Sequence, residues 1–194
     1  MKDIPRFAAT LTLVALVASG SLAWLNEITH PRILAQQEEE LKAGLISVLP
    51  EVDGNNILPV VEGDEILYYE GYRDKDRSDL IGYAFLCLSQ GYSSTIRTLV
   101  GIDTSGTILA IRVLSQKETP GLGTRVQEVR QGETRPWWQV QFNGRVAVQV
   151  TVDKDGGEIT SITGATITSR AITDEISLRA AEILQAIQSH ENEL

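Results

Sequence analysis

Residues 7–26 read FAATLTLVALVASGSLAWLN, a run with no charged side chain. At 1.5 Å per helical residue, about 20 residues cover about 30 Å, the thickness of a bilayer core. Lys2 and Arg6 precede the run and Glu27 follows it. Positive charge is retained on the cytoplasmic side, so the expectation is a single-pass inner-membrane protein with a cytoplasmic N-terminus. Residues 27–194 then lie outside the cytoplasm, on the periplasmic side, and Trp24 suits the far interface. The rival reading is a cleaved signal peptide, for which SGSLA supplies small residues. The length of the run and the helical periodicity beyond it favour an anchor.

Past the membrane run, HPRILAQQEEELKAGLISVLP reads as a helix, with Pro31 in its first turn and Pro50 at its stop. Ile33, Leu34, Leu41, Leu45 and Leu49 recur at helical spacing. EVDGNNILP reads as a loop. Short runs rich in β-branched and aromatic residues follow: EILYYEGYR, LIGYAFLCLS, TIRTLVGID, TILAIRVLS, RVAVQVTVD and EITSI. DTSG and KDGG are turns between them. A last helix carries Ile172, Ile176, Ile183, Leu184 and Ile187 on one stripe. The expected fold class is α+β, a mainly antiparallel sheet with packed helices behind one transmembrane helix. The expected organisation is a stub over 1–6, the membrane helix over 7–26, a stalk helix over 27–50 and an extracytoplasmic domain over 51–194.

Composition excludes several functions. The formal charge is -9, and the stub contributes +1 of it, leaving -10 on residues 27–194. Nucleic acid needs a basic face and is not an expected partner. An acidic domain outside an anionic membrane is repelled from lipid headgroups. Cys87 is the single cysteine, so no internal disulfide and no CxxC metal site can form. It lies in an apolar run and reads as a small buried hydrophobe. His30 and His190 stand far apart, which disfavours a histidine metal site or a Ser-His-Asp triad. No metal ligand set and no catalytic residue is identified.

Two segments can carry chemistry. Residues 159–173, ITSITGATITSRAIT, hold seven hydroxyl residues among fifteen at the mouth of the last helix. Gly164 allows close approach of the backbone, and a helix N-terminus offers free N–H groups and a positive dipole end. That is a site for an anion, commonly phosphate. Thr168 and Ser169 can cap the helix, and Arg170 offers a fork of donors. No P-loop lysine and no GxGxxG spacing is present. The second segment is ETPGLG, residues 118–123, inside an irregular stretch holding two prolines, four glycines and two adjacent tryptophans. Long irregular segments in compact domains are often functional. Taken singly, each segment also reads as ordinary helix capping or a plain turn.

Together, ETPGLG and, about 40 residues later, TGATITS resemble the covalently flavinylated FMN-binding domain family. Its members include the G-type component of Rnf electron-transport complexes and the C-type component of sodium-translocating NADH:quinone oxidoreductases. The resemblance runs over about residues 83–187, and the length and layout are closer to the Rnf member. It implies that a dedicated flavin transferase joins the FMN phosphate to the final hydroxyl of the motif, here Thr168. Thr163, Gly164, Ala165 and Thr166 complete the motif, with Ser169 and Arg170 near the phosphate. It places the loop of Glu118, Thr119, Pro120, Gly121, Leu122 and Gly123 beside the flavin ring, with Thr119 and Leu122 as ring contacts. Trp137 and Trp138 read as core or interface packing. Thr160 stands where the family usually has Asp.

The function implied is an electron carrier, not an enzyme on its own, that works with the other subunits of a membrane complex linking reduced ferredoxin and NAD to ion pumping. The alternatives are the C-type component of the quinone-reducing pump and an anchored assembly module without flavin.

Overall fold

The computed structural model describes residues 4–63 and 65–192. Lys2, on which the charge asymmetry partly rests, lies outside the described residues, as does the C-terminal Leu194. The chain divides into two compact units at Glu40 and Leu41.

The first unit is helical. Its described residues belong to α1, Ile4–Val48, which is long and apolar enough to cross a membrane. Phe7, Leu11, Leu13, Val14, Leu16, Val17, Leu22 and Trp24 are all exposed, as lipid-facing side chains are. Pro31 does not begin a second helix but sits inside α1. Proline removes one backbone hydrogen bond there, and the helix runs on through that loss.

The second unit is an α+β domain. Its sheet has five strands: β1 Ile57–Glu62, β2 Glu65–Tyr72, β3 Leu80–Gln90, β4 Thr95–Asp103 and β5 Ile108–Ser115. They pair in chain order, each antiparallel to the next. The β4–β5 turn is DTSG, in which the Asp103 carboxylate accepts from the backbone N–H groups of Ser105 and Thr107 at 2.8 and 2.9 Å. Gly106 completes that turn at φ +84°.

Both faces of the sheet are covered. On one, Phe85, Cys87, Ile96, Val100 and Ile102 join α2, Thr166–Asn192, through Ile172, Ile176, Ala180, Ile183 and Ile187. On the other, Leu45, Val48, Leu49 and Val52 pack on Ala84, Leu99 and Ala110. Gly101 permits this second contact, because a Cβ there would overlap the Val48 carbonyl.

Three elements differ from the sequence reading. Residues 57–59, read as the end of a loop, open strand β1. Pro59 obscured it, and the structure accommodates Pro59 on an edge strand, where a missing N–H is tolerated. RVAVQVTVD is not a strand: it forms 3-10 turns at Ala147–Gln149 and Asp153–Asp155, with isolated bridges from Val146 to Thr107 and from Val152 to Ile159. Ala147, Val150 and Val152 are buried without a ladder, so packing satisfies a pattern that resembles a half-buried strand. EITSI is likewise irregular, with one parallel bridge between Val152 and Ile159.

Candidate functional site

The entrance to α2 is shaped by one glycine and one serine. Gly164 adopts φ +79°, turning the chain into the helix that begins at Thr166. Ser169 Oγ accepts from Ile162 N–H and donates to the Ala165 carbonyl, both at 3.0 Å. The Ser169 hydroxyl therefore closes the turn and is buried.

Thr168 has a different partner. Its hydroxyl donates to Glu118 Oε2 at 2.7 Å, and the residue is 1% exposed. It is not a helix cap; it bonds a carboxylate 50 residues away in sequence.

Glu118 is 5% exposed and is gripped from its other side by the β3–β4 turn. The amides of Tyr92, Ser93 and Ser94 donate to its oxygens at 3.1, 3.0 and 3.0 Å, and Ser94 Oγ lies at 3.1 Å. Burial pushes the Glu118 pKa up. The hydrogen bonds from Thr168, Ser93, Ser94 and Tyr92 outweigh it and hold the carboxyl below the usual glutamate range. Two glycines leave room for the carboxylate. A Cβ at Gly91 would come 2.6 Å from Glu118 Oε1, and one at Gly123 would come 2.9 Å from Thr168 Oγ1.

The remainder of ETPGLG is a turn whose third residue, Gly121, has φ +75°, as a type II turn with proline in second place requires. Thr119 O accepts from Leu122 N–H at 3.1 Å. The turn displays Leu122 toward the helix mouth, where its Cδ2 lies 3.0 Å from the position a Cβ on Gly164 would take.

These parts enclose a cleft of about 650 Å³ lined by Tyr92, Glu118, Thr119, Leu122, Gly123, Gly164, Ala165, Thr166, Ile167 and Thr168. The volume lies within the range of about 300–1,000 Å³ typical of small-molecule sites. Its rim is apolar: Tyr92, Leu122 and Ile167 are exposed. The two sequence motifs thus meet at one place, and Thr119, Leu122, Gly123, Gly164, Ala165, Thr166 and Thr168 all line it. Thr163, Pro120 and Gly121 are exposed beside it and do not line it. Arg170 is turned away, bonded through Nε and Nη2 to Asp155 at 2.6 and 2.8 Å. At Thr160 the amide donates to Gln141 Oε1 at 2.9 Å, and the carbonyl accepts from Trp138 Nε1 at 2.9 Å.

Tyr92 and the Gly91–Ser94 turn escaped the sequence reading. Their signal was an exposed-type aromatic in the turn-forming stretch QGYSST between two strand patterns. Trp138 is fully buried, edge-on to Phe142 at 5.0 Å. Trp137 is half-buried under the Arg130 guanidinium, and neither tryptophan lines the cleft. Cys87 is fully buried, and burial pushes its thiol pKa up, so it packs as a small hydrophobe.

Residues 91–177 match the model of the FMN-binding domain, and residues 1–48 match that of the RnfG N-terminal region. The G-type component of the ion-translocating oxidoreductase complex of Stutzerimonas stutzeri is 35% identical over 191 residues, covering 94% of this chain and 81% of that protein. The chain belongs to the RnfG family. The corresponding component of the complex of Escherichia coli strain K12 is 31% identical over 209 residues, covering 100% of this chain and 97% of its own. A crystal structure of Shewanella oneidensis NqrC aligns with a TM-score of 0.45 at 19% identity, over 61% of this chain and 60% of that one. Relatives and N-terminal region together favour the RnfG reading over the C-type alternative.

Within this RnfG-family chain the FMN-binding match opens at Gly91, the residue before Tyr92, and takes in both halves of the cleft. The fit to FMN is good in volume, in the glycines that bare the backbone and in the apolar rim suited to a flat ring. Glu118, the charged group in the lining, is the feature that a phosphate must accommodate.

Proposed function

We propose that this protein is the electron-carrying flavoprotein component of an Rnf-type ion-translocating ferredoxin:NAD oxidoreductase, with FMN esterified through its phosphate to Thr168. The observation that carries this reading is the 2.7 Å contact between Thr168 and Glu118, which joins the hydroxyl of one motif to the loop of the other in the lining of a single cleft. FMN, when bound, supplies the capacity to take up and release electrons one or two at a time.

The chain's own residues bind and orient. The first turn of α2 presents N–H groups and its positive dipole end to the phosphate. Leu122, Thr119, Tyr92 and Ile167 bound the space for the ring, and their apolar surface keeps water from its faces. A covalent tether suits a flavin outside the cytoplasm, where a weakly held cofactor is lost by dilution. Maturation calls for a flavin transferase, and electron transfer calls for the neighbouring subunits. α1 anchors the chain in the inner membrane once, with the N-terminus cytoplasmic and the flavin domain on the periplasmic side.

Peptide mass mapping of the full-length protein tests the attachment. Residues 155–170 should carry the mass of FMN less water, Thr168→Ala should remove it, and Thr166→Ala should retain it. A modified Thr166 beside a bare Thr168 overturns the assignment.

A further inference from the structure

Thr168 Oγ1 carries a proton, and in the structure that proton is committed to Glu118. Esterification removes it. The ester oxygen has no donor left, so Glu118 Oε2 loses its 2.7 Å partner and gains an anionic phosphate as neighbour. Two adjacent anions in a water-poor cleft repel strongly. The proton released from Oγ1 lies, at that moment, on the hydrogen bond to Glu118.

We propose that Glu118 is the proton acceptor for attachment of the flavin to Thr168, so that this chain supplies part of the chemistry of its own modification. The inference rests on attachment at Thr168 as proposed above. The step balances as follows. Thr168 Oγ1 bonds to the flavin-side phosphorus of a flavin dinucleotide. The bond from that phosphorus to the bridging oxygen breaks, the nucleoside monophosphate leaves with the electron pair, and the Oγ1 proton passes to Glu118 Oε2. Nothing is oxidised or reduced.

The surroundings ionise and orient the acceptor, and the negative charge of the arriving phosphate raises its proton affinity. The amides of Tyr92, Ser93 and Ser94 and the Ser94 hydroxyl occupy the carboxylate so that it stays ionised, and they fix Oε2 on the Thr168 oxygen. Gly91 and Gly123 provide the space. Neutralising Glu118 as the phosphodiester forms also removes the charge conflict in the cleft.

The test uses the full-length protein in detergent, purified flavin transferase and FAD, with incorporated flavin read by intact mass and by fluorescence of the denatured chain. For Glu118→Gln, kcat of flavin transfer should fall about 100-fold or more, while KM for the acceptor protein stays within about threefold. Thr168→Ser, which keeps the hydroxyl, should be flavinylated in a Glu118-dependent way. Wild type labelled at Thr168 together with an unimpaired Glu118→Gln, or with a defect confined to KM, overturns the inference and leaves the attachment intact. Wild type without label overturns both. If Glu118→Gln melts well below wild type, Glu118→Asp decides. It keeps the charge that the turn amides bind but withdraws the oxygen from Thr168, so its kcat should also fall, and an unchanged kcat overturns the inference.

Discussion

Asp155 holds Arg170 by two hydrogen bonds, from Nε at 2.6 Å and from Nη2 at 2.8 Å. The pair is bidentate, and it lowers the Asp155 pKa, chiefly through the Arg170 hydrogen bond. An arginine beside the proposed attachment site invites a phosphate role, but here its Nε and Nη2 are already engaged by Asp155. Arg170→Ala should therefore leave flavin content per protein near wild type, measured by absorbance after denaturation and removal of small molecules. A flavin-free Arg170→Ala protein places the guanidinium on the phosphate after all.

Thr168→Val separates carrier from scaffold. Valine keeps the shape but forfeits the hydrogen bond to a charged partner, at a cost of about 1.5–3 kcal/mol. A domain is typically stable by about 5–15 kcal/mol, so the variant should fold and assemble. Ferredoxin-dependent NAD reduction by membranes should stop even though all subunits are present. Near-normal turnover in an assembled variant complex shows that no flavin at Thr168 lies on the electron path.

Acid should expose the work of the Glu118 carboxylate in the unflavinylated protein. Its folded-state pKa is depressed, so its contribution to stability is complete above the unfolded glutamate value, near 4.3. It is lost as pH falls through the lower folded value. Protein produced without flavin transferase, which keeps the Thr168 hydroxyl, and its Glu118→Gln variant, compared by denaturant unfolding, should differ most above the unfolded glutamate value and converge as pH falls through the lower folded one. A gap that widens toward acid contradicts a depressed pKa.

Trp138 and Trp137, adjacent in sequence, should behave differently. Trp138 is fully buried and donates to Thr160 O at 2.9 Å, so Trp138→Ala should cost about 3–5 kcal/mol in urea unfolding. Trp137→Ala loses an Arg130 contact and a hydrogen bond to Glu128 at the surface and should cost far less. Equal losses contradict the burial difference.

Much of the fold is legible in the sequence, because α2 keeps a helical hydrophobic period and β2–β5 are short runs rich in β-branched and aromatic residues between clear turn residues. Ile172, Ile176, Ile183 and Ile187 fall on the buried face their spacing predicts. What failed has local causes. Pro59 masked an edge strand. The alternating valines of residues 146–152 mimic a strand, but their partners are α2 and the β4–β5 turn, not a ladder. The site was half legible. Motif residues place Thr168 and Glu118 in separate segments, and no periodicity says that a hydroxyl and a carboxylate 50 residues apart will touch. The turn that seats the carboxylate uses backbone amides, which leave almost no imprint on side-chain identity.

The contact of Leu45, Val48, Leu49 and Val52 with Ala84, Leu99 and Ala110 bears on how this protein can be cut. A soluble fragment beginning at residue 51 discards three of the four side chains that cover one sheet face and bares an apolar patch, the usual origin of aggregation. Starting at Leu41 retains them. The final turns of α1 are thus a cover for the sheet, and the safe place for a protease site or a fusion junction lies ahead of them.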